Sequence, residues 1–247
     1  MISDGALSQD EIEALLKGSD EAFGGTETAS DGNVDKQLFN EAAKIIADNQ
    51  AFSLSSISTK TVTITNIATT IGNTTNLQQM LSGKMVEAKV SYTGSISGNA
   101  YYFMGEKESL AISSFMMGQK EEILNDMVAQ ALKEAFSQMI GSSDSALTSR
   151  FGGNFTNSPV ETSILEDAST INISGSLAIV NGTATIEGEF ENAPYVLAME
   201  LPLLQALIGN SKSSSGNSAS NSNSGDSNNN EFEPSNQLGV QHAEFNS

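Results

Sequence analysis

Two glutamates stand in the same local pattern at two places in the chain. Glu41 is followed three residues later by Lys44, and Glu134 is followed three residues later by Ser137. Residues three apart lie on one face of a helix, so each pair can present two polar groups to a common neighbour. A serine hydroxyl can hydrogen-bond a water molecule, whereas a lysine ammonium has no acceptor. The spacing therefore predicts two polar pairs, of which only the second can orient a water.

The rest of the chain supplies few of the side chains on which enzymes usually depend. There is no cysteine, and the only histidine, His242, lies near the C-terminus. This composition argues against a zinc site and removes the usual general base. Thirty acidic and eleven basic residues give a net charge of −19, which argues against nucleic acid and anionic membranes as partners because both require basic patches.

Targeting and cofactor signals are not visible either. The first five residues lack the basic and apolar regions of a secretory signal. The longest apolar stretch, residues 195–208, contains Glu200 and Pro202 and is too short to span a bilayer. There is no phosphate-binding loop or dinucleotide fingerprint. We therefore expect a cytoplasmic protein with no membrane insertion, no metal ion and no cofactor of its own.

A short helix signal stands alone near the N-terminus, over residues 7–16. Ser8 can cap this helix, Glu11 completes a capping box, and Asp10 adds a negative charge that the helix dipole favours. An apolar stripe lies at helical spacing, formed by Ile12, Leu15 and Leu16. So short a helix is marginal in water. We expect it to form by docking, either weakly and reversibly on a partner or on its own domain.

Composition divides the chain into three zones. Residues 1–33 read as a flexible arm that carries the helix signal, because the region after that signal is rich in Gly, Ser, Thr and acids. Residues 34–209 have regular hydrophobic periodicity and form the predicted folded body. Residues 210–247 begin with a tract of Ser, Asn and Gly that is typical of a flexible linker, and they end in a short tail.

Periodicity predicts the elements of the body. It indicates a helix over 34–50 with a short helix or turn to about residue 58, strands at 61–65, 86–92 and 100–104, helices over 106–117 and 121–140, a hairpin centred on Asn181-Gly182, a strand at 195–199 and a closing helix over 201–208. The four methionines of the predicted helices fit core packing better than an adaptable binding surface. They are Met116, Met117, Met127 and Met139.

The body also repeats itself at a constant offset of 93 residues. The matched positions are Glu41 with Glu134, Leu54 with Leu147, and Ile67 with Val160. A duplicated α–α–β–β–β–α unit of about 90 residues is the economical interpretation. We therefore predict a single α/β body with pseudo-two-fold symmetry, in which long paired helices pack on one face of a sheet rich in antiparallel strands.

Two stretches resemble the CheC–FliY–CheX family. Residues 134–142, with Leu147, Phe151 and Ser158-Pro159 after them, resemble the second phosphatase half-site of that family. Residues 7–16 resemble the N-terminal peptide with which flagellar motor switch proteins such as FliM bind phosphorylated CheY. The order of peptide, arm, duplicated body and linker matches motor switch members of the family. In those members a FliN-like domain follows, and residues 240–245 resemble the approach to that domain, which this sequence lacks.

The resemblance implies a CheC-like fold and a place in the cytoplasmic ring of the flagellar basal body. Phosphorylated CheY would bind the N-terminal peptide, and other switch proteins of the FliM, FliG and FliN types would be neighbours. The peptide residues implied in partner binding are Asp10, Glu11, Ile12, Leu15 and Leu16. A divalent metal ion would belong to the receiver domain of the partner. The resulting function is to help set the direction of rotation in chemotaxis.

The resemblance also implies a phosphatase alternative. The family pattern is a Glu, an Asn three residues later and a Pro 23 residues after the Asn. Here Glu41 and Glu134 match, but Lys44 and Ser137 replace the Asn, and Ile67 and Val160 replace the Pro, with Pro159 one residue early. One interpretation is a weakened CheY-phosphate phosphatase. The other, which we favour because both amides are lost, is a solvated helix face, with Lys44 in a surface ion pair with Glu41.

Overall fold

Side-chain caps define where the long helices begin in the structure, a computed structural model that describes residues 34–214. Asp35 accepts the backbone N–H of Leu38 at 3.2 Å, and Asn125 accepts that of Val128 at 3.0 Å. The helices are α1 (Lys36–Ser58), α2 (Thr74–Gln79), α3 (Glu106–Met117), α4 (Asp126–Phe151) and α5 (Leu201–Ser214), and a 3-10 turn spans Ala168–Thr170. Within the described range, no helix combines the length and the hydropathy that crossing a membrane requires.

The strands of the described region form one antiparallel sheet. They are β1 (Val62–Gly72), β2 (Met85–Gly94), β3 (Gly98–Gly105), β4 (Phe155–Asn157), β5 (Glu161–Leu165), β6 (Leu177–Ile186) and β7 (Phe190–Glu200). The order across the sheet is β1-β6-β7-β3-β2, and the far edge of β2 pairs with both β4 and β5. The predicted hairpin of β2 and β3 is confirmed by their pairing.

The sheet order shows the duplication directly. From its centre outward, one half of the sheet runs β3-β2-β5 and the other runs β7-β6-β1. The first main strand of each half therefore pairs with the other half at an edge of the sheet. Strand β1 pairs with β6, and β5 pairs with β2. The predicted α/β class and pseudo-two-fold body are confirmed, but the repeated unit is α–β–α–β–β–α, with the 3-10 turn as the second copy of α2. The two halves are interwoven and cannot separate without losing strand pairs.

The two faces of the sheet bury different residues because strand side chains alternate. Ala88 and Tyr102 belong to a cluster that includes apolar residues of α1, α3, α4 and α5. Tyr101 and Phe103 belong to a second cluster, with Leu77 of α2. The prediction that the helices lie on one face therefore holds for the four longer helices, while α2 and the 3-10 turn cover the other face.

The hairpin predicted at Asn181-Gly182 is wrong. Both residues lie inside β6, and the turn to β7 comes at residues 187–189. A Cβ on Gly182 would lie 2.7 Å from Thr65 O and 2.8 Å from Ile67 Cδ1. The reason is a bulge in β1, where Asn66 has a φ of 55°. The glycine at 182 thus permits a close approach of two strands and does not form a turn.

Several boundaries also differ from the predicted ones. The helix predicted over 34–50 continues without a break to Ser58, and the one predicted over 121–140 begins at Asp126 and continues to Phe151. The strand predicted at 61–65 extends to Gly72. Helix α2 and strand β4 were not predicted, and strand β5 was expected only as the repeat of β1, without bounds. Ser- and Thr-rich sequence suggested breaks in the helices, but packing against the sheet keeps these segments helical.

Candidate functional site

Helices α1 and α4 carry the two candidate half-sites and lie antiparallel to each other. Ser142 Oγ donates to Asn49 Oδ1 at 3.5 Å, and Arg150 near the end of α4 pairs with Glu41 near the start of α1. Asn49 and Ser142 are separated by the repeat offset of 93. The pseudo-two-fold axis therefore passes close to this contact, and the half-sites lie at opposite ends of the helix pair.

The first half-site is closed by an arginine. Arg150 donates through both Nε and Nη2 to the carboxylate of Glu41, with Nη2 at 2.8 Å from Oε2. Lys44 instead donates to Asp48, one turn later on α1, at 3.0 Å. The predicted ion pair between Glu41 and Lys44 is therefore wrong. A bidentate arginine outcompetes the lysine because its planar fork matches a carboxylate geometrically.

The second half-site is open. Glu134 is exposed, and Gln138 Nε2 donates to its Oε1 at 3.1 Å. Among residues 34–214, no lysine or arginine forms an ion pair with Glu134. Ser137 is half-buried, and its hydroxyl donates to the backbone carbonyl of Lys133 at 2.7 Å. The carboxylate is thus available to a partner, while the serine proton is already used within the helix.

The distance between the half-sites excludes joint action on one group. Glu134 precedes Arg150 by 16 residues on α4, and a helix rises 1.5 Å per residue, which gives a separation of about 24 Å. Since Arg150 contacts Glu41, the two glutamates are separated by a similar distance. Each half-site must therefore contact its own partner or none.

The positions where the family has proline belong to the core. Val160 is only 4% exposed, and Ile67 is partly buried against the same apolar cluster. Ile67 also forms the close contact with Gly182 in the bulge of β1. Neither side chain faces a partner, so both positions act through packing.

The exposed carboxylate of Glu134 can bind a cationic group better than either half-site can position a water molecule. Lys44 offers no acceptor, and Ser137 offers only lone pairs because its proton is directed at Lys133. An amide, by contrast, can accept from a water and donate to a second group at once. The described part of the chain also contains no group of three or more His, Cys, Asp or Glu that could hold a metal ion.

A partly buried polar network that the sequence did not suggest ties α4 to the sheet. Tyr92 Oη donates to Asp144 Oδ1 at 3.0 Å, and Asn157 Nδ2 donates to Asp144 Oδ2 at 2.8 Å. Burial raises the pKa of Asp144 to about 6, and the two hydrogen bonds oppose that rise. Because β2 and β4 supply the donors, the network ties the helix of the second half-site to the sheet.

The sequence carried a signal for the exposed position of Phe52 but none for the contact of Arg150 with Glu41. Arg150 lies 109 positions from Glu41, so no local pattern joins them; only the duplication combined with antiparallel helices could have suggested the pair. Phe52 follows Lys44 and Asp48 at four-residue spacing on α1 and is 71% exposed. The spacing places Phe52 on the polar face of that helix, which was a signal available in the sequence.

The methionines divide between the core and the surface. Met139 is 3% exposed, and Met116 and Met117 are partly buried against the main cluster, as predicted. Met127 is 56% exposed, so its predicted core role is wrong. It lies in the first turn of α4 beside the fully buried Val128, so Met127 is on the outer face of the helix while its neighbour faces the core.

The predicted peptide contacts lie outside the described residues and remain predictions. They are Asp10, Glu11, Ile12, Leu15 and Leu16. The predicted bounds of the arm (1–33) and of the linker (210–247) also remain predictions from composition.

Comparisons with known proteins point to one group. No family model matches the chain. The chain is 25% identical over 167 residues, 65% of its length, to a Bacillus subtilis protein described as flagellar motor switch phosphatase FliY, of which it covers 44%. The crystal structure of Thermotoga maritima FliY has a TM-score of 0.63 at 23% identity, covering 72% of this chain and 96% of that one. A chain of the H. pylori FliG–FliM complex has a TM-score of 0.58 at 11% identity, covering 71% and 100%.

These matches confirm the resemblance to the CheC–FliY–CheX family and its α/β fold. The similarity to FliY is present in the sequence as well as in the fold. The similarity to the FliG–FliM chain concerns the fold alone, since only 11% of the residues are identical. The chain spans less than half the length of the FliY relative.

Proposed function

We propose, from the similarity to FliY, that this chain is a component of the flagellar motor switch at the cytoplasmic face of the basal body. In this proposal the body is a scaffold, and residues 7–17 capture phosphorylated CheY to help set the direction of rotation. The observation that supports a scaffold is the state of the half-sites. Glu41 is held by Arg150, and Ser137 stands where an amide would be needed.

The loss of both amide side chains favours binding over hydrolysis, because positioning of the water contributes much of the catalysis. Orienting a reactant contributes roughly 7–11 kcal/mol to catalysis only when the geometry is near that of attack. A single serine acceptor at residue 137, or an ammonium at residue 44, fixes a water less well than an amide does. The receiver and its own metal ion would supply the remaining chemistry.

Neighbouring switch proteins are part of the same proposal. A chain of similar fold is found in the H. pylori FliG–FliM complex, so a scaffold of this shape is compatible with contacts to switch subunits. We extend this to subunits of the FliG, FliM and FliN types as neighbours of the body.

The proposal is tested with the N-terminal peptide. A labelled peptide of residues 1–20 is titrated with CheY in phosphorylated and unphosphorylated forms. We expect weak, reversible binding that is stronger for the phosphorylated form. A matched peptide with Leu15→Asp and Leu16→Asp should lose the binding because the apolar stripe is broken. Equal affinity for both forms of CheY would refute the proposed capture.

A weak phosphatase is the second candidate, and the exposed Glu134 supports it because that carboxylate forms no ion pair with described residues. Release of phosphate from CheY is compared for the wild type, Glu134→Ala and Ser137→Asn, with Glu41→Ala as the matched control. If a residual site works, Glu134→Ala lowers the rate and Glu41→Ala leaves it unchanged. If only Ser137→Asn adds to the decay of CheY itself, the wild-type site is inactive.

A further inference from the structure

A small cavity lies between the helices and the sheet, beside the carboxylate of Asp144. Its volume is about 30 Å³, and α1, α4, α5, β2, β3 and β7 all contribute to its wall. Most of the lining is apolar, and its polar members are Tyr92, Tyr102 and Asp144. A water molecule needs roughly 10–15 Å³ of such space and two to four polar partners. The cavity therefore has the size and the polar groups to hold about two water molecules.

A difference between the two halves of the body accounts for the cavity. Ala100 lies six residues before α3, and Tyr195 lies six residues before α5, so the two occupy equivalent positions in the duplicated fold. The ring of Tyr195 is buried, and its hydroxyl donates to Gln50 Oε1 at 2.9 Å. Ala100 offers only a methyl group at the equivalent place and lines the cavity. A small side chain where the other half has a large one leaves space in an otherwise packed core.

The polar groups of the cavity can accept hydrogen bonds but have no proton left to donate. Tyr92 uses its single hydroxyl proton on Asp144 Oδ1 at 3.0 Å. Tyr102 is hydrogen-bonded to Tyr92, and because the Tyr92 proton is already used, Tyr102 must be the donor in that bond. Asn157 donates to Asp144 Oδ2 at 2.8 Å, and an ionised carboxylate has further lone pairs but no proton. A ligand in this cavity must therefore be a hydrogen-bond donor.

We propose that this cavity is a hydration site, in which water donates hydrogen bonds to the Asp144 carboxylate and to the hydroxyl oxygen of Tyr102. Water is small enough for the space and carries two protons for acceptors that lack donors. Burying a carboxylate is costly unless it is hydrogen-bonded, so the water stabilises the ionised form of Asp144. Only one half of the body has the site, because Tyr195 fills the equivalent place in the other half. Such water helps to hold α4 on the sheet whatever partner the body binds.

The pKa of Asp144 reports on this water. Burial raises that pKa to about 6, and the hydrogen bonds from Tyr92 and Asn157 oppose the rise. The other elements around the cavity contribute no second charge, since β3 supplies Tyr102, α1 supplies Ile46, β7 supplies a methionine and α5 supplies two leucines. Removing a donor from the cavity should therefore raise the pKa of Asp144 further.

The first test is crystallographic and uses the wild-type chain. High-resolution data are collected from crystals grown without ammonium salts at a pH above the pKa of Asp144, and from a crystal pressurised with xenon. We expect density for water within hydrogen-bond distance of Asp144 and a tyrosine hydroxyl, and no xenon there, because xenon enters dry apolar cavities. Xenon in the cavity, or no water density, would overturn the hydration site. Density that appears only with ammonium chloride would assign the site to a cation and would also overturn it.

The second test displaces the water with Ala100→Val, which adds two methyl groups on a strand, where branched side chains are favoured. NMR titration of the Asp144 carboxyl carbon should give a pKa about one unit higher than in the wild type, since the charged form loses a hydrogen-bond donor. Ala184→Val is the matched control and should leave this pKa unchanged, because Ala184 is buried in the same cluster but does not line the cavity.

An unchanged pKa of Asp144 in Ala100→Val, or an equal shift in both variants, would refute the hydration site. Thermal unfolding checks that each variant is folded. If Ala100→Val does not fold, the crystallographic test on the wild-type chain decides alone.

Discussion

Replacement of the half-buried carboxylate Asp144 by asparagine is expected to stabilise this protein at neutral pH. The carboxylate accepts hydrogen bonds from Tyr92 and Asn157. An asparagine has the same shape, can accept from Tyr92 through its amide oxygen and can donate to the amide oxygen of Asn157 if that group is turned over. The substitution therefore keeps both contacts and removes the cost of burying a charge.

The magnitude follows from the pKa of Asp144. Burial raises this pKa to about 6 from an ordinary 3.8, and that difference corresponds to about 3 kcal/mol. Partial exposure and the weaker hydrogen bonds of a neutral amide reduce the net gain to about 1–2 kcal/mol for Asp144→Asn. Because the folded protein binds this proton more tightly than the unfolded chain, the contribution of Asp144 to stability is fully present below about pH 4 and is lost as the pH rises through about 6.

The measurement is urea unfolding of wild type and Asp144→Asn between about pH 4 and about pH 7.5. The advantage of the variant should be largest at the upper pH and should shrink as the pH falls below about 6. Asp48→Asn is the matched control, since it removes the same charge from an exposed position on α1. A difference between wild type and Asp144→Asn that stays constant with pH, or a less stable variant at neutral pH, would contradict the reasoning.

Three further predictions concern stability and use the same urea assay. Gly182→Ala should destabilise by about 1–3 kcal/mol, because the new methyl group would lie 2.7 Å from Thr65 O; wild-type stability would refute the close approach. Gly141→Ala should stabilise by roughly 1 kcal/mol, because a Cβ added at this helix position would have no neighbouring atom within 4 Å, and a loss of stability would contradict that open space. Arg150→Ala should change the free energy of unfolding little, since solvent screens an ion pair whose side chains are about 40% exposed. A double-mutant cycle with Glu41→Ala that gives a large coupling energy would be inconsistent with a surface pair.

Patterns that depend on neighbouring residues were predicted well from the sequence. The repeat offset of 93 indicated the duplicated body, and helix α3 and the hairpin of β2 and β3 were predicted close to their observed bounds. The pair Asn181-Gly182 was misleading because the same dipeptide serves a tight turn or a close strand crossing. Only the bulge of β1 against β6, more than 100 residues away in sequence, decides between them.

The sequence by itself determined the chemistry that the half-sites can offer. Lys44 and Ser137 stand where the family has amides, and no fold can give a lysine an acceptor. Only the tertiary structure decided which side chains contact the two glutamates. The antiparallel packing of α1 on α4 brings Arg150 onto Glu41 across 109 residues and leaves Glu134 exposed, with Gln138 as its hydrogen-bond donor. The reason is that spacing along a helix fixes which residues share a face, whereas the residues that meet across two helices depend on how the interwoven sheet places them.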